Sequence, residues 1–252
     1  MRIKCAVDDI EFGSTLSSVE VPPRLREKIS TGVPSLDHAF GGQGMTPSVV
    51  TLFTGTPGAG KTTMMLSMCD ALAKSGHQAI FNTAEESLYQ VKLTAERTRL
   101  QCGFKVGQEN NVDSLLKKVR KVVGQKRDKH TVLVVDSLQT LDDGHFSTGR
   151  ITCASAERSL EKLTSFAKET FINVFVIGHV TKDGKMAGSN RLKHMVDAFI
   201  SMDVDTDEKS DFFGCRRLTT NKHRFGGSNA VSYLKLHATG FTEIARSTDD
   251  DV

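Results

Sequence analysis

Eight consecutive residues, Gly55-Thr56-Pro57-Gly58-Ala59-Gly60-Lys61-Thr62, satisfy the pattern glycine, any four, glycine, lysine, serine or threonine at every required position. The chemistry of such a run is phosphate binding. Its glycines let successive backbone N–H groups close around phosphate oxygens, and a following helix adds the positive end of its dipole. Lys61 would neutralise β and γ charge, and the Thr62 hydroxyl would ligate Mg²⁺. Thr63, in the first turn of that helix, completes the binding set. A magnesium-bound triphosphate also needs a carboxylate at the end of a neighbouring strand, and Val132-Leu133-Val134-Val135-Asp136 supplies four apolar residues followed by Asp136. Hydrolysis further needs a group to orient or deprotonate the attacking water. Glu85 and Glu86 follow the second strand candidate, and Glu85 is the preferred one. The alternative for both is that they are helix-start carboxylates favoured by the N-terminal dipole.

The elements around these residues alternate. Val49–Thr54 reads as a short β run, and Thr62–Ala73, rich in Met, Leu and Ala, reads as a helix, so the glycine loop joins strand to helix. Further strands are expected over 78–81, 131–135, 171–177 and 198–204, and helices over 86–100, 113–124 and 154–169. In the second of those helices Leu115, Leu116, Val119, Val122 and Val123 fall on one face. The uninterrupted apolar run 131–135 suits a parallel strand covered on both sides. Strands alternating with helices imply right-handed crossovers and a mostly parallel α/β sheet flanked by helices. The last third changes character: 216–221 and 230–236 are β-like around a turn, an antiparallel extension. Three units are expected: a polar arm over 1–28, the ATPase domain over 29–244 and a flexible acidic tail over 245–252.

Composition excludes several other classes. The 252 residues are 38% hydrophobic and 25% charged, with 33 Lys and Arg against 30 Asp and Glu, so neither disorder nor a globally basic nucleic-acid binder fits. No apolar run approaches the roughly 18 to 20 residues of a membrane span, and Asp8 and Asp9 stand where a signal peptide would be apolar. A cytoplasmic protein without a membrane partner is expected. The five cysteines form no CxxC pair, which excludes a cysteine-rich zinc module.

Beyond the phosphate loop, Ile29-Ser30-Thr31-Gly32, Ala84-Glu85-Glu86-Ser87-Leu88, Val135-Asp136-Ser137-Leu138-Gln139-Thr140, Gly178-His179-Val180-Thr181-Lys182-Asp183-Gly184 and His194-Met195-Val196-Asp197 occur in the order and spacing of the RadA/Sms family. Lys222-His223-Arg224-Phe225-Gly226 matches that family's own signature. From about Val19 to Phe241 the chain resembles the family's RecA-like P-loop core. Members commonly add an N-terminal four-cysteine zinc module and a C-terminal domain resembling the Lon protease; this sequence is expected to represent the core alone.

The resemblance implies an ATP- and Mg²⁺-dependent, DNA-dependent ATPase of recombination and repair. It would assemble as a homo-oligomeric ring, a hexamer, on single-stranded or branched DNA, with a recombinase as a possible partner. In such rings the nucleotide sits between subunits. Lys222 and Arg224 would then reach the γ-phosphate of a neighbour as trans-acting fingers, and His179 would sense the same phosphate. Two cationic loops would face the DNA backbone: 142–152, with His145 and Arg150, and 180–191, with Lys182, Lys185 and Arg191. The arm, through Val19, Val21 and Leu25, would pack on a neighbouring subunit. Tyr89 or Arg97 could stack on the adenine. Two rival functions remain open: a KaiC-like ATPase acting on proteins, and a non-catalytic assembly switched by nucleotide.

Overall fold

The computed structural model describes residues 13–124, 129–146, 149, 151–179, 189–227 and 229–247. Runs that are apolar in sequence form the centre of one sheet. β1 (Val50–Gly55), β2 (Gln78–Thr83) and β4 (Thr131–Asp136) are buried at every position, and β5 (Asn173–His179) at all but its last. β3 (Lys105–Gly107) lies at one edge; β6 (Ala198–Val204), β7 (Arg216–His223), β8 (Val231–His237) and β9 (Gly240–Arg246) extend the other. The strand order is β3-β2-β4-β5-β1-β6-β7-β8-β9. Pairing is parallel from β3 through β6 and antiparallel from β6 to β9.

Alternation along each strand sends side chains to two separate cores. On one face Phe53, Phe81, Phe175 and Ile177 meet Leu36 of α1 (Pro34–Ala39), Met64, Met68 and Leu72 of α2 (Lys61–Lys74), and Val91 of α3 (Leu88–Arg97). On the other, Leu52, Leu133, Val135 and Val176 meet Leu115 and Val119 of α4 (Val112–Gly124), Leu160 and Leu163 of α5 (Cys153–Thr170), and Leu192 of α6 (Ser189–Met195). The expected α/β architecture, mostly parallel with an antiparallel extension, is the one observed.

Boundaries differ from expectation where side-chain chemistry intervenes. α3 starts at Leu88 rather than 86 because Ser87 caps it. Gln90 N donates to Ser87 Oγ at 3.3 Å and Ser87 N donates to Gln90 Oε1 at 2.9 Å, a reciprocal box that leaves Glu85 and Glu86 outside the helix. They are not helix-start carboxylates. β5 starts at Asn173 because Phe171 ends α5 in the left-handed conformation, φ 57°. Short β3 and α6 carry too few residues for a periodic signal. β9 was not anticipated, and it corrects the proposed tail: Ala245 pairs with Tyr233 and Arg246 with Ser232, so the sheet continues past residue 244. Residues 248–252 and 1–12 lie outside the described residues. The described part of the arm forms two single 3₁₀ turns, Leu16–Ser18 and Pro23–Leu25. No helix among the described residues is long and apolar enough to cross a membrane.

Candidate nucleotide-binding site

Register places the chemical residues together. Pairing of β1 with β5 sets Gly55 opposite His179, and pairing of β2 with β4 sets Thr83 opposite Asp136. The carboxyl ends of four strands therefore stop at one level, where open α/β sheets bind ligands. A cavity of about 520 Å³ opens there, lined by the phosphate loop and by Glu85, Glu86, Asp136 and His179.

The loop itself is held tightly. A Cβ on Gly55 would fall 1.9 Å from the Met202 carbonyl oxygen, so no larger residue fits against β6. Gly60 has φ 98° and opens α2, and a Cβ there would lie 2.6 Å from Phe241 Cζ. Lys61 Nζ donates to the carbonyls of Gly55 at 2.8 Å and Thr56 at 3.1 Å, drawing the loop around its own ammonium. Thr56 N donates to Asp203 Oδ1 at 3.2 Å. Burial pulls the Lys61 pKa below its ordinary value, against the attraction of Asp136, Glu85 and Asp203.

Thr62 Oγ1 donates to Asp136 Oδ2 at 2.7 Å. A hydroxyl and a carboxylate at the mouth of a phosphate loop are the hard oxygen donors that Mg²⁺ takes, so the residues present fit the ion. Burial pushes the Asp136 carboxyl above its ordinary value, opposed by the Thr62 hydrogen bond. Glu86 is also raised, by burial first and then by Asp136 and Glu85. This concentration of acid beside one lysine is electrostatically costly, and a divalent cation there would offset it. Nε2 of His179 lies 2.7 Å from Glu85 Oε2, and one ligand atom each from Glu85, Asp136 and His179 falls within 4.8 Å of the others. Gln139 holds the His179 backbone from both sides, with Nε2 donating to its carbonyl at 3.4 Å and Oε1 accepting its N–H at 3.3 Å.

Lys222 and Arg224 stand elsewhere. Thr51 pairs with Ala198, and Ala198 with His223, so the two cations sit at the amino ends of the parallel strands. From Thr51 to Gly55 the strand alone covers roughly 13 Å. Neither cation lines the cavity of its own chain. Lys222 Nζ donates to the carbonyls of Val196 at 2.8 Å and Lys193 at 2.9 Å, and Arg224 Nη1 donates to Asp197 Oδ1 at 3.1 Å. Burial lowers the Lys222 pKa, with Arg224 adding to the effect.

Of the expected DNA contacts, Arg150, Lys182 and Lys185 lie outside the described residues. His145 is exposed and meets the Phe146 ring edge-on, centroids 4.8 Å apart. The start of its loop is pinned, because Asp143 pairs with Arg158 and Lys162 Nζ donates to the Asp143 carbonyl at 2.9 Å. Arg191 is not a loop residue as expected: it lies in α6 and pairs with Glu157 of α5 at 3.0 Å. Tyr89 and Arg97 do not line the cavity, and Arg97 donates to the Ala238 carbonyl. Sequence reasoning missed Leu236, which does line it, and also Phe241 and Asp203, which contact the loop at Gly60 and Thr56 without lining the cavity. Their distance along the chain from residue 60 hid the first two, and nothing local marks Asp203.

A family model described as "ATPase: KaiC" matches residues 29–102. The DNA repair protein RadA of Mycobacterium tuberculosis is 33% identical over 222 residues, covering 85% of this chain and 43% of that protein. The RadA of Salmonella typhimurium is 29% identical over 240 residues, covering 95% and 48%. The chain thus spans less than half the length of these curated relatives. Among solved structures, a KaiC-like protein of the hyperthermophilic archaeon Pyrococcus horikoshii superimposes with a TM-score of 0.71 at 18% identity, over 86% of this chain and 99% of that one. The chain therefore has a KaiC/RecA-like fold and a sequence similar to the RecA-like core of the DNA repair proteins named RadA.

Proposed function

We propose that this chain is an ATPase of DNA recombination and repair that assembles as a homo-hexameric ring and couples hydrolysis to movement on single-stranded or branched DNA. One observation carries the reading. The phosphate loop, Asp136 and Glu85 converge in one cavity, while Lys222 and Arg224 stand at the opposite end of the strands and do not line that cavity. Such a division supports a site completed by a second copy.

In this reading the loop amides and α2 hold the triphosphate, and Lys61 leaves the Gly55 and Thr56 carbonyls for the β and γ oxygens. Thr62 and Asp136 would hold Mg²⁺, which when bound would supply neutralisation of the triphosphate charge. Glu85 accepts a proton from the attacking water. His179 senses the γ-phosphate and passes its presence to the loop after β5, whose Lys182 and Lys185, with His145 and Arg150 of the other loop, contact DNA phosphates without reading sequence. Arg224 and Lys222 of a neighbouring copy stabilise the charge that builds on the transferring phosphoryl group. A recombinase partner and a cytoplasmic setting accompany the reading.

The test is the steady-state ATPase rate with Mg²⁺, with and without single-stranded DNA, against Lys61→Ala as the blank. Several-fold stimulation that fades with added salt is expected. A rate indifferent to DNA would favour the second reading, an ATPase acting on protein partners, for which the match to the KaiC model speaks. Negligible turnover with nucleotide-dependent assembly would point to a non-catalytic switch.

A further inference from the structure

The segment His194-Met195-Val196-Asp197 joins the end of α6 to the start of β6, and the nucleotide cavity uses none of it. Asp197 is 2% exposed. Buried carboxylates persist where donors surround them, and here the donors come from three elements. Oδ2 accepts from Val50 N of β1 at 3.1 Å and from Lys168 Nζ of α5 at 2.6 Å. Oδ1 accepts from Arg224 Nη1, just past β7, at 3.1 Å. The backbone is fastened as well: Asp197 N donates to the Val50 carbonyl at 3.0 Å, and Arg224 N donates to the Asp197 carbonyl at 3.0 Å.

The two oxygens thus divide their work. Oδ2 is fixed to the sheet and α5, and Lys168 is itself anchored on the Ser48 carbonyl at 2.9 Å. Oδ1 faces a guanidinium whose side chain remains 52% exposed. An arginine on an open edge samples many rotamers, and ordering it at the moment of reaction costs rate. The rigid carboxylate at Nη1, helped by the His194 carbonyl 3.4 Å from Nη2, removes much of that cost and leaves the exposed remainder of the planar fork for another oxyanion.

We propose that Asp197 is the positioning residue of Arg224, a buried carboxylate that presents the guanidinium at the edge of one subunit for the nucleotide of its neighbour. The proposal rests on the trans-acting role given to Arg224 above. It goes further in making Asp197 act through Arg224 alone, with no contact to nucleotide.

The experiment uses the full chain, with turnover and nucleotide affinity measured separately. Arg224→Ala is expected to lower turnover by about 10³-fold or more with affinity kept. Asp197→Asn is expected to lower turnover by about tenfold, also with affinity kept, and to cause no further loss on the Arg224→Ala background. Mixing Asp197→Asn with Lys61→Ala, each inactive or weak alone, should restore turnover, because the Lys61→Ala subunit lends an intact finger to an intact phosphate loop. If Asp197→Asn does not fold, Asp197→Glu keeps the charge for Lys168 and Val50 and carries the same double-variant test. Undiminished turnover in the Asp197 variant, a loss that persists without Arg224, or a failure of mixing overturns the proposal. Normal turnover in Arg224→Ala instead removes the trans finger itself, and Asp197's role with it.

Discussion

Nε2 of His179 and Oε2 of Glu85 lie 2.7 Å apart across 94 residues of chain. Glu85 follows β2 and His179 ends β5, and β4, with Asp136 at its tip, runs between them. The pair therefore spans the tip of β4 beside the Asp136 carboxylate, and a carboxylate that accepts this hydrogen bond has one lone-pair direction fewer for water. Arrival of a γ-phosphate beside His179 would compete for the same imidazole.

Glu85→Gln should lower turnover by about 10²- to 10⁴-fold while nucleotide affinity stays within a few-fold. With His179 as the proposed γ-phosphate sensor, His179→Ala should bring the rates with and without DNA together. Single-turnover hydrolysis alongside a fluorescent-nucleotide titration checks both.

Asp136→Asn should raise the melting temperature of the nucleotide-free protein while weakening its response to Mg²⁺. Burial holds the Asp136 pKa above its unfolded value. The ionised carboxylate thus costs stability at neutral pH, a cost that fades as pH falls through the raised value. The amide removes the cost and can still accept from Thr62. Thermal melts at several pH values and a Mg²⁺ titration of turnover test the two halves.

Buried His223 and half-buried His77 and His130 should make the fold acid-sensitive. His223 packs edge-on against Phe40, centroids 5.4 Å apart, and neither ring nitrogen finds a hydrogen-bond partner among the described residues. Burial lowers its pKa, and likewise those of His77 and His130. The neutral rings' contribution is fully present above the unfolded value of 6.5 and is lost as pH falls below it. His223→Phe should flatten the fall in melting temperature below that pH.

Phe241→Ala should loosen the phosphate loop from the far end of the chain. The ring lies where a Cβ on Gly60 would be and packs on the core beside α2. Loss of a largely buried aromatic costs about 2–4 kcal/mol, and nucleotide affinity should fall with it. A denaturant melt and a binding titration separate the two effects.

Removing residues 1–28 should lower the oligomer mass in light scattering. Of the residues expected to anchor the arm, Val21 is exposed while Val19 and Leu25 are half-buried on their own chain; Leu16 is exposed as well, and apolar residues there suit a neighbouring surface. An unchanged mass would rule the arm out of assembly.

Much of the site was written locally. The phosphate loop, the strand ending in Asp136 and the acids after β2 are each a few adjacent residues whose types and period announce strand, turn and helix. The mostly parallel character of the sheet follows from the alternation of strands and helices, but the helix expected over 86–100 missed the Ser87 cap that leaves Glu86 outside α3. Pairings across the chain could not be read this way. Strand order and register bring the end of β5 near the segment after β2, where His179 meets Glu85, and the packing of α2 on the sheet brings Thr62 to Asp136. The β8–β9 hairpin lays Leu236 beside the loop and Phe241 against it, and only burial from three elements makes Asp197 the seat of Arg224. Local pattern decides which backbone each segment adopts, because neighbouring residues set those torsions and caps. Which distant groups then meet is decided by strand order and by the two cores, since the free energy of burial is shared among segments that no single stretch of sequence contains.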